Sequence, residues 1–282
     1  MNVYFRRALC ALVLLWDFCA FAARSADLYE RILVPVLPQN GWRADLWIRN
    51  DGDAPVDIFP VAYSASSPSR GYALPLPEPG VPPGVTLEYS SLATRFPLPY
   101  YIPLSSTAAG AILYVEHGKR QNLRFQLKVG RNLDNPYSTA LATDTQVPVV
   151  PESDLATRMS LVRIAVRAGR YYTLRVYSLD SISADVNVAF TPLPMAPFGD
   201  SILPMVRLRL QRPEAEAVCF SASCPWPNVS FAPAYGVFVF DSTTVPEWGY
   251  TITVTSTEGA KVWAFLSETD PATKGVVIYA PN

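Results

Sequence analysis

The chain contains one histidine, His117. General-base chemistry by imidazole therefore has one candidate, and a multi-histidine metal site has none. His117 ends the apolar run 110–117, beside Glu116 and ahead of Gly118-Lys119. Neighbouring residues of a strand point to opposite faces, so Glu116 does not orient the imidazole. The sequence holds no Gly-x-Ser-x-Gly elbow to present a nucleophile. His117 reads as a solvated turn residue, and no catalytic residue is assigned. A glycosidase needs two carboxylates across one cleft; the acids here are scattered, and spacing brings no pair together. The densest cluster is Asn50, Asp51, Asp53 and Asp57. Oxygen ligands on a loop between strands suit Ca²⁺, so these four are the candidate metal ligands. Gly52 in their midst, and a loop shorter than dedicated calcium loops, favour plain turn chemistry instead. No cofactor is implied.

The exposed aromatic candidates are Tyr100 and Tyr101, in the proline-rich FPLPYYIP, and Trp226 in CPWP. Rings on a surface stack on sugars or anchor a protein partner; the alternative is that they cover the ends of sheets. Trp47 takes the opposite face from Leu46 and Ile48, with Arg49.

Residues 1–26 read as an address. Arg6 and Arg7 precede a short apolar core, and small residues at Ala20, Ala22, Ala23 and Ser25 follow. This is the order of a secretory signal peptide. The apolar run is about half the roughly 20 residues of a spanning helix, and Asp17 interrupts it. The expected product is secreted or periplasmic, with no transmembrane segment in the mature chain. Removing 1–26 takes Arg6, Arg7, Arg24 and Asp17 and leaves 20 basic and 23 acidic residues. No basic tract exists, which argues against nucleic acid as a partner. Cys10 and Cys19 leave too. Cys219 and Cys224 stay, and export favours their pairing as a disulfide that staples a loop. Four intervening residues do not match a redox pair, and two thiols alone make a poor zinc site.

The rest of the chain alternates. In 121–130, Leu123, Phe125, Leu127 and Val129 oppose Asn122, Arg124, Gln126 and Lys128. In 205–211, Val206, Leu208 and Leu210 oppose Arg207, Arg209 and Gln211. In 161–167, Val162, Ile164 and Val166 oppose Arg163 and Arg167. A period of two over short runs predicts half-buried strands. Glycines at 52, 118, 169 and 259 sit between such runs, where positive φ would close antiparallel hairpins. Nine prolines in 68–103 predict a stiff crossover loop around one strand, 85–90.

The chain also repeats. VPVLPQN at 34–40 returns as VPVVPES at 147–153. Ala54, Val56 and Ile58 after the first copy correspond to Ala184, Val186 and Val188 after the second. GAILYVEHGKRQNLRFQL corresponds to GYTITVTSTEGAKVWAFL. The expected fold is all-β: two tandem antiparallel immunoglobulin-like β-sandwiches after the signal peptide. The expected boundaries are 1–26 for the signal, 27–135 for the first sandwich, 136–145 for a linker and 146–282 for the second.

The segment LWIRNDGDAPVDIFPVAY, with Asn50, Gly52 and Ala54-Pro55-Val56, resembles the Asn-x-Gly turn of bacterial secreted immunoglobulin-like sandwiches, the CARDB-type adhesion-related domains. The resemblance covers about twenty residues and implies an extracellular spacer, adhesive unit or stalk. Its pattern carries no catalytic residues. Two functions follow. One is a bacterial non-catalytic sandwich protein with a structural, adhesive or ligand-binding role and a protein or glycan surface partner. The other is a secreted hydrolase or carbohydrate-binding module that uses carboxylates and exposed aromatics.

Overall fold

The structure is a computed structural model that describes residues 29–35, 42–59, 80–89, 110–131, 145–180, 183–194, 203, 205–212, 232–273 and 275–281. The described chain is all-β with antiparallel sheets. Its strands are β1 (Tyr29–Pro35), β2 (Trp42–Asn50), β3 (Ile58–Phe59), β4 (Thr86–Tyr89), β5 (Gly110–Glu116), β6 (Leu123–Arg131), β7 (Thr145–Val147) and β8 (Val150–Pro151). There follow β9 (Arg158–Ala165), β10 (Tyr171–Ser178), β11 (Ser183–Pro192), β12 (Val206–Gln211), β13 (Ala234–Asp241), β14 (Gly249–Ser256), β15 (Val262–Thr269) and β16 (Val276–Tyr279). Two sheets have four strands, in the orders β3-β5-β1-β8 and β4-β2-β6-β7. The third has eight, β16-β15-β10-β13-β12-β11-β14-β9.

The eight-stranded sheet folds back on itself. β12 and β13 share only the pair Gln211 and Tyr235, so the sheet can bend there. At its other end Ala156 exchanges both backbone bonds with Val262, at 3.0 and 2.9 Å, and brings the β9 side back to β15. The space between the two halves fills with aromatic side chains. Phe190 on β11 meets Phe240 on β13 edge-on at 5.2 Å, Tyr172 on β10 stacks on Phe240 at 5.1 Å, and Tyr250 on β14 meets Phe190 at 6.1 Å. Burying each such ring stabilises by roughly 1.5–3 kcal/mol. Tyr172 and Tyr250 keep their hydroxyls satisfied by donating to the carbonyls of Ala165 and Pro246, each at 2.9 Å.

Pairings between strands distant in sequence run through both parts of the chain. In the first part β1 pairs with β5 and β2 with β6; in the second β10 pairs with β13 and β11 with β14. Among the described strands the consecutive ones that pair are β6 with β7, β11 with β12, β12 with β13 and β15 with β16. The glycine turns are not the hairpins expected from sequence: those at Gly52 and Gly118 pass between two sheets, and those at Gly169 and Gly259 join strands of the eight-stranded sheet that do not pair. The turn at Gly52 joins β2 to β3, Gly118 joins β5 to β6, Gly169 joins β9 to β10 and Gly259 joins β14 to β15, and in no case are the two strands neighbours. Gly118, Gly169 and Gly259 have positive φ. Gly52 does not; there a Cβ would stand 2.9 Å from Asn122 Cβ.

The second copy of the VPV motif lies in β7 and β8, which pair with β6 and β1. The first copy begins at the end of β1 with Val34 and Pro35, and its residues 36–40 lie outside the described residues. Both copies thus serve the four-stranded sheets, and Pro148, with no N–H to give, falls where the chain leaves one sheet for the other.

β9 departs from the expected alternation. Leu161 and Ile164 are buried against Ile252 and Tyr250, whereas Val162 is 54% exposed. A bulge places Val162 and Arg163 opposite the one residue Thr251, and Arg163 takes φ 59°. The extra residue turns Val162 outward, and Val166 returns to the core. A left-handed arginine is strained by about 1–2 kcal/mol. Arg163→Gly relieves that strain but frees the unfolded chain, so we expect a gain of up to about 1 kcal/mol, and a loss of about 1–2 kcal/mol for Arg163→Val. Urea unfolding measures both.

Candidate functional site

The hairpin-like turn after β2 is organised by Asn50, which is fully buried. Its Nδ2 donates to Ala54 O at 2.8 Å and Val81 O at 2.7 Å, and its Oδ1 accepts from Gly52 N at 2.9 Å. The backbone of Asn50 also donates to Val85 O and accepts from Gly84 N. Every polar atom of this amide is spent on the main chain. Asp51 is spent on arginines: Arg49 Nε lies 2.6 Å and Arg124 Nη2 2.9 Å from its carboxylate. Asp53 and Asp57 are exposed. Among the described residues no group of three or more His, Cys, Asp or Glu side chains converges as a metal site. The four expected calcium ligands are thus not brought together: an inward amide and an arginine-bound carboxylate organise the turn.

His117 is exposed in the turn between β5 and β6, followed by Gly118 at φ 74°. Trp47 is half-buried on β2, with Lys128 Nζ 5.6 Å from its ring centroid. Tyr100, Tyr101, Trp226, Cys219 and Cys224 lie outside the described residues.

Sequence reasoning missed three polar groupings. The first joins β1 to the turn after β8 and to the end of β10. Arg31 on β1 donates from Nε to Glu152, just after β8, at 2.8 Å, and from Nη1 to Leu179 O at 2.9 Å. Its Nη2 bonds both Glu152 and Asp180. Glu152 holds its proton less tightly than an ordinary glutamate, chiefly because its carboxylate accepts from Arg31, and Arg31 holds its own more tightly for the same reason. A second tie is Thr145 Oγ1, donating to Val276 O at 2.9 Å.

The second grouping fastens the β15–β16 hairpin. Arg170 pairs with Asp270 and approaches Glu268 at 3.9 Å, and Tyr279 donates to Glu268 at 2.7 Å. The Thr273 hydroxyl, donating at 2.8 Å, is the main reason that Asp270 is pushed down to about 2. Burial, then the bond to Glu268, pushes Tyr279 up to about 12.

The third grouping is Arg175 and Tyr177 on β10. Nη1 of Arg175 donates to Ser267 Oγ at 2.8 Å, and the guanidinium carbon lies 5.6 Å from the centre of the Phe265 ring. No signal in the sequence marks these three sets, because their partners lie far apart along the chain. Arg31 is 121 residues from Glu152.

The chain matches no protein-family model, and no curated protein matches it in sequence. Among the described residues no helix is long and apolar enough to cross a membrane.

Proposed function

We propose that the chain is an exported, non-catalytic bacterial protein of the cell surface or periplasm, built from two immunoglobulin-like β-sandwiches held as one stiff unit, with a structural, adhesive or ligand-binding role. The CARDB-like turn around Asn50 belongs to this reading as a likeness of local design. The observation that carries it is the Arg31 clamp. One guanidinium binds Glu152 and reaches Leu179 O and Asp180. It fixes the part built on β1 against the part built on β10. A spacer or presenting module needs such a joint to hold its faces at a set angle. Antiparallel pairings between non-consecutive strands, β1·β5 with β2·β6 and β10·β13 with β11·β14, support the two-sandwich description.

The test is a panel of ester, peptide and glycoside substrates run beside glycan and peptidoglycan binding assays on the purified protein. We expect binding without turnover, and His117→Ala to change stability by no more than about 0.5 kcal/mol, as for an exposed turn residue. Turnover that disappears when His117 or a pair of carboxylates is replaced would overturn the reading.

A further inference from the structure

The outer face of β10 is covered at one end and open at the other. Its residues in order are Leu179, Tyr177, Arg175, Thr173 and Tyr171. Leu179 offers its carbonyl to Arg31, and a Cβ built on Gly110 of β5 would lie 3.3 Å from the Tyr177 ring. Exposure then rises from 0% at Tyr177 through 6% at Arg175 to 52% at Tyr171. Val239, which pairs with Thr173, is exposed as well. Arg175 therefore sits at the margin of the covered zone, within reach of solvent.

Among the described residues, a cation at this margin lacks a counter-anion, and just inside it a hydroxyl lacks an acceptor. A buried arginine is ordinarily paired with an anion. Among the described residues the polar partner of Arg175 is the neutral Ser267 hydroxyl, and its proton is held less tightly than usual because burial is not offset by a carboxylate. Among the described residues the Tyr177 hydroxyl, two residues along on the same face, is buried with no hydrogen-bond partner. Its ring is fixed by stacking on Phe265 at 6.1 Å. A desolvated cation bonded only to a neutral hydroxyl and a desolvated hydroxyl without an acceptor form the complement of one negatively charged oxygen group.

We propose that Arg175 and Tyr177 form a receptor for a single carboxylate group of a bound molecule. Carboxylate fits better than phosphate. One guanidinium balances one charge, and its planar fork matches two carboxylate oxygens. The Tyr177 hydroxyl then donates to the same group. The guanidinium without its anion is a stability liability, as expected where a site is kept for binding. The site is distinct from the Arg31 clamp, so its loss leaves the structural reading above standing.

The test uses the full chain and three probes at matched ionic strength: acetate, glucuronate and chloride. Acetate is expected to bind with a dissociation constant on the order of 1–10 mM, to raise the melting temperature by about 2–5 °C near saturation and to alter emission from Trp263, whose ring lies 5.5 Å from Phe265. Chloride is expected to do neither. Equal affinity for acetate and glucuronate assigns the site to small acids; tighter binding of glucuronate assigns it to acidic sugars. Arg175→Met should abolish the response while raising the melting temperature of the unliganded protein by about 2–4 °C, because an unpaired buried charge is replaced by an apolar chain of similar length. Tyr177→Phe should fold as well as the parent and bind acetate about 5- to 30-fold more weakly. The proposal is overturned if acetate and glucuronate act no differently from chloride, if Arg175→Met responds like the parent, or if Arg175→Met lowers the melting temperature.

Discussion

Asn50→Ala is expected to lower the unfolding free energy by about 3–5 kcal/mol, the largest effect of any polar substitution considered. The amide is fully buried and bonded to Ala54 O, Val81 O and Gly52 N. Truncation removes three bonds and leaves Ala54 O and Gly52 N to find other partners, while Val81 O keeps only its bond from Val56 N. Each buried group left unsatisfied costs about 1–3 kcal/mol. The loss also loosens the bridge between Val56 and Val81, which exchange backbone bonds at 3.1 and 2.8 Å. Asn50→Asp separates donors from acceptors. Its carboxylate accepts from Gly52 N but confronts two carbonyls, so its folded-state proton affinity rises above that of the unfolded chain. A group raised in this way destabilises above its unfolded value and recovers below it. The deficit of Asn50→Asp should therefore shrink as pH falls from the raised folded value toward about 4, and level off below it. Urea unfolding of both variants between pH 3 and 7 measures this. A deficit under about 1 kcal/mol for Asn50→Ala would mean that the turn is held by something other than this amide.

The same residue shows what the sequence disclosed and what it hid. Asn50 and Asp51 stood out by type and spacing, but spacing could not tell an outward ligand from an inward clamp. The decisive partner, Val81, is 31 residues away. Alternation located β6, β12 and β14 because a period of two is a local property. It failed at Val162, where a single bulge inverts the faces while the residue types still alternate. Nor could it separate a hairpin from an arch. A glycine at Gly118 or Gly259 reverses the chain in either case, and the partner is settled by which faces must be buried. The two segments matched in sequence, β5–β6 and β14–β15, are each a strand, a glycine turn and a strand that does not pair with the first. Arg31 and Arg175 left no trace at all, since their roles exist only after distant strands have met.

Arg31→Ala is expected to destabilise by about 2–3 kcal/mol and to uncouple the two halves of the chain. Its side chain is 25% exposed and Glu152 32%. The interaction therefore lies between the 0–1 kcal/mol of surface pairs and the 3–5 kcal/mol lost when a buried pair is broken. Asp180 contributes the smaller part, because it is more than a third exposed and water screens it. Removal also leaves Leu179 O without the Arg31 donor. The expected signature is a loss of coincidence in urea unfolding. Emission from Trp47 reports β2, that from Trp248 and Trp263 reports the eight-stranded sheet, and one shared transition should become two. The pH dependence gives an independent check. Glu152 has a folded-state proton affinity lowered chiefly by the Arg31 bond. Its stabilisation is therefore present above the ordinary glutamate range and lost as pH falls through the lowered folded value. The parent should weaken across that acidic window more steeply than Arg31→Ala, in which Glu152 has no such bond to lose. Arg31→Lys keeps the charge but gives up the fork that spans Glu152 and Asp180. It should restore part of the pH slope and little of the coupling, because the joint depends on one planar group reaching carboxylates from both sides.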